Sequence, residues 1–214
     1  MQTYAWPRPM GYEPFDHQKQ TTTFLVANHR AFCFNEQGTG KTASVIWAAD
    51  YLLTKKRIKR VLIVCPLSIM QASWQNDLFK FAVHRTVDVA YGTSEKRKKI
   101  LNGNAEFVII NYDGIPSISD YLLSNNPFDL IVIDEANAYK NPTTNRWKVL
   151  NRLVKPDTWL WMLTGTPAAQ SPVDAYGLAK LVSHHRVPKF AMAWRDKVMQ
   201  QITRFKWIPK HNAK

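Results

Sequence analysis

Two short groups of residues have the composition and spacing needed to handle phosphate groups. The first is Gly-Thr-Gly-Lys-Thr at residues 38–42. Its glycines allow successive backbone N–H groups to point at one anion, and a helix starting there adds its positive dipole end. In such a loop, Lys41 would reach the β- and γ-phosphates and the Thr42 hydroxyl would bind Mg²⁺. The strict pattern has glycine where this sequence has Asn35, so the alternative is a chance match in a turn.

The second group is the acidic pair Asp134 and Glu135, which follows the apolar run 130–133. Four apolar residues followed by two acids predict two carboxylates at the exposed end of a buried strand. One carboxylate could hold Mg²⁺ while the other orients and deprotonates an attacking water. A strand ending in two acids is common by itself. Together with the 38–42 loop about 90 residues upstream, it predicts a nucleotide-hydrolysing site.

The elements that must position these groups follow from apolar runs that alternate with amphipathic segments. The runs lack polar alternation, as is typical of strands buried on both faces of a parallel sheet. The pattern predicts an α/β fold with a mostly parallel central sheet, helices on both faces and ligands bound beyond the carboxyl ends of the strands. Strands are predicted at 31–34, 61–65, 86–90, 107–110, 130–133 and 158–163, and helices at 17–29, 42–54, 69–81, 94–101, 143–153 and 173–181.

Charge indicates a polyanionic partner. The 214 residues contain 29 Lys and Arg against 16 Asp and Glu, a net charge of +13. Residues 184–214 contribute +7 of this, and no buried strand or further sheet is predicted there. Nucleic acid binding is the natural interpretation, because neutralising phosphates releases counterions; a merely solvated basic surface is the alternative. Tail aromatics such as Trp194 and Trp207 could stack on bases, or pack against the rest of the protein.

Several function classes have no support in the sequence. Cys33 and Cys65 each lie in an apolar run without a CxxC partner, which suits buried thiols and no disulfide framework or zinc site. His184 and His185 have no ligand at metal-binding spacing, and no GxSxG elbow supports acyl transfer. We expect no signal peptide, no membrane span and a cytoplasmic location, or a nuclear one in a eukaryote.

Three segments together resemble a known family. Residues 35–42 (NEQGTGKT), 134–137 (DEAN) and 163–167 (LTGTP) look like motifs of superfamily-two helicases, and the LTGTP form is similar to the Swi/Snf-type branch of DNA translocases. The resemblance extends from about residue 15 to residue 182. It implies a RecA-like P-loop NTPase lobe, the first of the two lobes in such motors. We therefore expect this lobe at 1–183 and a basic tail or linker towards a second lobe at 184–214.

The resemblance also implies a nucleotide site built for ATP and Mg²⁺. Gln18 matches the glutamine that recognises the adenine edge, although a polar residue opening a helix is the alternative. Lys41, Asp134 and Glu135 are the expected catalytic residues, and Thr42 and Asp134 the expected Mg²⁺ ligands. The remaining nucleotide contacts are expected from the phosphate loop. The full loop set is Gln37, Gly38, Thr39, Gly40, Lys41 and Thr42.

Further motifs of the family concern DNA. Ser68 matches a residue that touches the DNA backbone, and Asn111 and Tyr112 match a later DNA-tracking motif. Four residues match positions that couple the nucleotide site to DNA or to the second lobe. These are Asn137, where the branch usually has His, and Thr164, Gly165 and Thr166.

The resulting hypothesis is the ATP-binding first lobe of a DNA-dependent ATPase that moves along duplex DNA when joined to a second lobe. That second lobe would lie either in cis, in which case this chain is a fragment, or in another polypeptide. We expect the chain to be a fragment. We also expect it to be monomeric, weakly active by itself and of bacterial or phage type. The alternatives are an RNA helicase, a restriction-enzyme motor, or a basic DNA-binding module with a relic nucleotide site. The LTGTP form argues against the RNA branch, which usually has a Ser-Ala-Thr motif.

Overall fold

A computed structural model of the chain describes residues 1, 3–34, 38–165, 171–204 and 206–211. Its centre is a six-stranded, fully parallel sheet with strand order β1-β6-β5-β2-β4-β3. A two-stranded antiparallel hairpin, β7-β8, follows near the end of the chain. The strands are β1 (Arg30–Cys33), β2 (Val61–Cys65), β3 (Val87–Ala90), β4 (Phe107–Asn111), β5 (Leu130–Ile133), β6 (Trp159–Leu163), β7 (Met199–Thr203) and β8 (Lys206–Pro209).

Helices cover both faces of the sheet. Every residue of the central strands β2, β4, β5 and β6 is buried, and alternate residues of each strand join different cores. Ile63, for example, packs in the core beneath α1, α2 and α3, whereas Leu62 and Val64 pack in the core on the other face. The α-helices are α1 (Asp16–Ala27), α2 (Lys41–Thr54), α3 (Asn76–Phe81), α4 (Ser94–Leu101), α5 (Gly114–Ser117), α6 (Ser119–Ser124), α7 (Asn145–Leu153), α8 (Ala175–Val182) and α9 (Ala191–Val198).

The predicted fold class, with its parallel sheet and two helical layers, is confirmed. All six predicted strands are present, with ends that differ by at most one residue. The two free cysteines, Cys33 and Cys65, are buried as expected, and burial raises the pKa of the Cys65 thiol.

The predicted helix at 69–81 differs from the observed structure. The segment begins as a 3₁₀ turn at Leu67–Ile69, widens into a π-helix at Met70–Gln75 and becomes α-helical only in α3. Hydrophobic periodicity cannot distinguish these forms, because a π-helix inserts only one extra residue per turn into an otherwise helical pattern. Short 3₁₀ turns also occur at Ala136–Tyr139 and Pro172–Asp174.

The expectation that no further sheet follows residue 181 was wrong, because β7 and β8 pair there. Apart from Met199 and the half-buried Trp207, the described residues of both strands are exposed. Because its strands are exposed, such a hairpin contains no apolar run from which it could be predicted. The segment packs back on the fold through α9, where the Trp194 indole donates a hydrogen bond to the Pro172 carbonyl at 3.1 Å.

Candidate nucleotide and DNA site

The strand order brings the sequence motifs to one edge of the sheet. The 38–42 loop follows β1, Thr164 and Gly165 follow β6, and the acidic pair follows β5. Ser68 follows β2, and Tyr112 follows β4. Because β1, β6, β5, β2 and β4 are successive neighbours in a parallel sheet, their carboxyl ends form a continuous row. Such edges are where ligands bind in α/β sheets.

The phosphate loop has the backbone geometry that its glycines predict. Gly38 and Gly40 adopt positive φ angles of 81° and 72°, which residues with a Cβ rarely adopt. Gly40 is the N-cap of α2, so Lys41 and Thr42 form the first turn of a 14-residue helix. Residues 35–37, including the predicted nucleotide contact Gln37, lie outside the described residues.

Gln18 lies directly against the phosphate loop. Its side chain is 1% exposed, and a Cβ added at Gly40 would overlap its Nε2 atom. The Tyr12 hydroxyl accepts a hydrogen bond from Nε2 at 2.9 Å and lies 3.2 Å from Oε1, which also accepts the Phe15 N–H at 2.9 Å. The neighbouring His17 imidazole contacts the Thr39 carbonyl oxygen at 2.9 Å. Gln18 is thus held at the loop by partners that the sequence pattern did not reveal, chiefly Tyr12.

Asp134 is half-buried, and neutral donors orient its carboxylate. The indole N–H of Trp74 donates to Oδ2 at 2.8 Å, and the backbone N–H of Glu135 donates to Oδ1 at 2.9 Å. Burial raises the pKa of the Asp134 carboxyl above its ordinary value. The Trp74 indole, the Glu135 amide and the Lys41 ammonium each lower that pKa in part. The strand order brings the start of α2 and the end of β5 to this edge, because only β6 lies between β1 and β5.

Glu135 has an unusual backbone, with φ 47° and ψ 57°. This left-handed conformation costs a non-glycine residue about 1–3 kcal/mol and persists only when surrounding contacts enforce it. The Tyr112 hydroxyl provides such contacts, because it donates to the Asp134 carbonyl at 2.6 Å and contacts the Glu135 carbonyl at 3.3 Å. Glu135 itself begins the 3₁₀ turn Ala136–Tyr139.

The candidate DNA-contacting residues have different environments. Ser68 lies exposed in the 3₁₀ turn after β2, beside a cavity of about 360 Å³ that Gln71 and Tyr91 also line. Asn111 is buried, and its Oδ1 accepts a hydrogen bond from Arg97 Nη1 at 2.8 Å. Tyr112 is half-buried with its hydroxyl engaged at the acidic pair. Among these three, Ser68 has the most accessible side chain.

Of the candidate coupling residues, those that the structure describes lie between the phosphate loop and the acidic pair or beside that pair. Thr164 is buried, and its N–H donates to the Cys33 carbonyl at 3.1 Å, which joins the end of β6 to the end of β1. Gly165 follows it, and Thr166 lies outside the described residues. Asn137 is half-buried in the 3₁₀ turn after Glu135.

The described residues contain no group of three or more His, Cys, Asp or Glu side chains arranged to hold a metal ion. Within the described ranges, no helix is both long and apolar enough to cross a bilayer. A cavity of about 570 Å³ lies near Arg30 and Lys180, at the opposite end of β1 from the phosphate loop, so it is separate from the motif-bearing edge.

Comparison with known families decides what this arrangement is. The model of the SNF2-related domain matches residues 17–212. The chain belongs to the SNF2-related domain family. The resemblance of the sequence to the Swi/Snf-type branch of superfamily two, and to its first RecA-like lobe, is thereby confirmed.

Individual SNF2-related relatives come from phage, bacteria and eukaryotes. The p41 protein of Acyrthosiphon pisum secondary endosymbiont phage 1 is 27% identical over 80% of this chain and 39% of its own length. A SWI/SNF-related regulator of chromatin, subfamily A-like protein 1 homolog, from Caenorhabditis elegans is 27% identical over 82% of this chain and 25% of its own length. An ATP-dependent helicase of Mycoplasma genitalium is 27% identical over 66% of this chain and 14% of its own length. The chain spans well under half the length of each of these relatives.

A solved structure supports the fold of this SNF2-related domain. The Sulfolobus solfataricus SWI2/SNF2 ATPase core, solved in complex with dsDNA, superposes with a TM-score of 0.78. The match covers 91% of this chain and 41% of the archaeal chain at 23% sequence identity. At that identity the likeness shows the RecA-like fold of the ATPase core.

Proposed function

We propose that this chain is the ATP-binding first lobe of a DNA-dependent ATPase that moves along duplex DNA. The observation that carries the proposal is that the 38–42 loop and the acidic pair lie at one carboxyl edge of the sheet, after β1 and β5, the two strands that flank β6. This arrangement brings Lys41 and Asp134, 93 positions apart in the sequence, to the same edge, and a lysine and a carboxylate at one site are what hydrolysis of a nucleoside triphosphate requires. Homology to Swi/Snf-type ATP-dependent helicases supports the same activity.

The residues present fit a magnesium nucleotide. Oxygen donors are the ligands that Mg²⁺ prefers, and Thr42 and Asp134 supply a hydroxyl and a carboxylate. Burial raises the pKa of Asp134, so a nearby cation would offset part of the cost of keeping that carboxylate charged. Glycine is favoured at residue 40 by its positive φ and by the Gln18 amide, which a Cβ there would displace. Bound Mg²⁺ would neutralise charge on the phosphate oxygens.

The chain's own residues would divide the remaining work. The N–H groups of the phosphate loop and the Lys41 ammonium would bind phosphate oxygens, and Gln18 would recognise the adenine edge. Glu135 would orient the attacking water and accept its proton at a carboxylate oxygen. Four residues would couple the presence or absence of bound nucleotide to the DNA-binding side and to the second lobe, namely Thr164, Gly165, Thr166 and Asn137.

DNA binding is proposed from charge and from homology. The net charge of +13 favours a polyanion, and Ser68 offers an exposed hydroxyl to a backbone phosphate. The archaeal ATPase core with the same fold was solved with dsDNA. A second RecA-like lobe, in cis or in trans, would supply the arginine that neutralises transition-state charge, which is typically worth about 10³-fold or more in rate. We propose residues 1–183 as the lobe and 184–214 as a segment leading towards that partner.

The test is ATP turnover with and without duplex DNA, measured on this chain and on one extended through any downstream reading frame. Lys41→Ala should abolish turnover. Glu135→Gln should abolish turnover yet retain ATP binding, because it removes the proton acceptor and keeps the shape. Glu95→Gln, which neutralises an exposed carboxylate on α4, is the matched control and should leave turnover unchanged. Absence of turnover in both chains would overturn the proposal and favour a DNA-binding module without hydrolysis.

A further inference from the structure

Two side chains from separate segments contact the acidic pair without contributing charge to it. Trp74 lies in the π-helical segment after β2 and is fully buried, with its indole N–H directed at Asp134 Oδ2. Tyr112 follows β4 and directs its hydroxyl at the backbone of Asp134 and Glu135. π-helical turns occur frequently at functional sites.

The Tyr112 contact fixes the backbone at one residue. Rotation about φ and ψ of Glu135 turns the two peptide groups that flank its Cα, and these groups carry the Asp134 and Glu135 carbonyls. Because one hydroxyl contacts both carbonyl oxygens, it restrains both rotations at once. The left-handed conformation of Glu135 needs such a restraint, because L-residues other than glycine rarely remain there unaided.

The Trp74 contact fixes a carboxylate. With Oδ1 of Asp134 occupied by the Glu135 amide and Oδ2 by the indole, rotation of the carboxylate would break both hydrogen bonds. An indole donates one hydrogen bond in a fixed direction and carries no charge. It therefore orients Asp134 without neutralising it, which leaves the negative charge available to a cation.

We infer that Trp74 and Tyr112 are positioning residues for the hydrolytic site, with Trp74 orienting the Asp134 carboxylate and Tyr112 holding the backbone of Glu135. The inference rests on the proposed function. It gives Tyr112 a role at the acidic pair in place of the DNA contact that the family resemblance implied. Second-layer partners of this kind typically change metal affinity or activity by about 10–100-fold when removed.

Tyr112→Phe tests the hydroxyl, and Tyr139→Phe is its matched control. The two rings are neighbours, with centroids 5.9 Å apart, and the buried Tyr139 hydroxyl has no hydrogen-bond partner among the described residues. Tyr112→Phe should lower kcat for ATP about 10–100-fold while KM changes less than about threefold. Tyr139→Phe should change neither. Equal kcat in the two variants would overturn the role of Tyr112.

Hydrogen–deuterium exchange tests the same role without turnover. Tyr112→Phe should speed exchange of the backbone amides at residues 135–138, because the restraint on Glu135 is lost, and Tyr139→Phe should not. An unchanged exchange rate would overturn the inference even for a chain that hydrolyses no ATP. If exchange responds but wild-type turnover is absent, the proposed function fails and the structural role of Tyr112 stands.

Trp74→Phe tests the indole, and Trp161→Phe is the control, since Trp161 is equally buried and donates to the Asn28 carbonyl at 3.0 Å, away from Asp134. Both variants lose one indole hydrogen bond, so thermal melting should fall similarly. Trp74→Phe alone should weaken the Mg²⁺-dependent part of ATP-analogue binding, compared with EDTA, by about 10-fold. Equal Mg²⁺ dependence in the two variants would overturn the role of Trp74.

A measurement on the unsubstituted indole covers the case in which Trp74→Phe does not fold. The ¹⁵N–¹H signal of Trp74 can be recognised as the indole signal that moves in Asp134→Asn. In wild-type protein, Mg²⁺ with an ATP analogue should shift that signal and leave the Trp161 signal in place. Identical behaviour of the two signals would contradict the inference.

Discussion

Asp50 and Asp134 are two carboxylates, one fully buried and the other half-buried, that are held by different kinds of partner. Asp50 lies within α2, and its side chain is 2% exposed. It accepts hydrogen bonds from Arg85 Nε at 2.6 Å and the Tyr4 hydroxyl at 2.5 Å, and it contacts His84 Nε2 at 2.8 Å. Asp134 instead receives an indole and a backbone amide.

Under the proposed function, the difference separates a structural carboxylate from one that serves the site. The Arg85 guanidinium neutralises Asp50. The contacts of Asp50 also connect three segments: the N-terminal stretch that carries Tyr4, helix α2, and the loop before β3 that carries Arg85. Neutral donors at Asp134 set its orientation and leave its charge uncompensated apart from the influence of Lys41. A half-buried carboxylate held in this second way is suited to binding a cation that arrives with a ligand.

Substitution of Asp134 should have the largest effect on turnover. Asp134→Asn keeps the shape and removes the charge, so turnover should fall by roughly 100-fold or more. The melting temperature should change little, because relief of an incompletely compensated charge opposes the loss of one hydrogen bond: the Asn amide nitrogen cannot accept from the Trp74 indole or the Glu135 amide. Steady-state kinetics and thermal melting of one preparation check both expectations. A large loss of stability would place Asp134 in the same class as Asp50.

Asp50→Ala should give the opposite result. It leaves the Arg85 guanidinium without its nearest carboxylate partner and the Tyr4 hydroxyl without its acceptor, which should cost about 3 kcal/mol of unfolding free energy. Turnover per folded molecule should remain near the wild-type value. Denaturant unfolding is the measurement, and Asp120→Ala, at an exposed position on α6, is the control.

The start of α2 can be perturbed without touching either carboxylate. Gly40→Ala and Gly11→Ala both place a Cβ at positive φ, 72° and 80°, which costs roughly 1–2 kcal/mol. Only at Gly40 does the Cβ also overlap Gln18; at Gly11 nothing lies within 4 Å. Gly40→Ala should therefore melt lower than Gly11→Ala and alone raise KM for ATP. Equal melting temperatures would mean that Gln18 moves aside at little cost.

The smallest expected effect is a loss of stability at acid pH, to which His29, a residue distant from Asp50 and Asp134, contributes. Burial lowers the pKa of His29, and Arg30 and Arg57 lower it further, against the opposing contact with the Asp157 carbonyl. Below about pH 6.5 the unfolded chain binds the proton more readily than the folded one, so stability falls as pH drops through that value. Between pH 7.5 and 5.5, the melting temperature of His29→Gln should fall by less than that of the wild-type protein. His185→Gln, at an exposed position, should behave like wild type.

Prediction from sequence succeeded where the information was local. Apolar runs correctly predicted the positions of β2 and β5, and the glycines of the phosphate loop indicated where the backbone adopts positive φ angles. The role inferred for Trp74 was not foreseeable, because its partner Asp134 is 60 residues away and an apolar indole in an amphipathic segment predicts only core packing. The hairpin β7-β8 was missed because its strands are exposed and carry no apolar alternation.

The π-helical segment has a consequence for tolerated chain length. Each residue of an α-helix turns the chain by about 100°, and a π-helix accommodates an additional residue in nearly the same rise. Deleting exposed Gln71 would let Met70–Gln75 close as an ordinary α-helix with Ser68 and Trp74 facing nearly their present directions, because the π-helix already absorbs one residue more than an α-helix needs. A residue inserted into this segment has no such allowance, and with Trp74 held at Asp134 it would turn Ser68 by about 100° away from its position at the sheet edge. The segment should therefore tolerate the loss of one residue better than the gain of one.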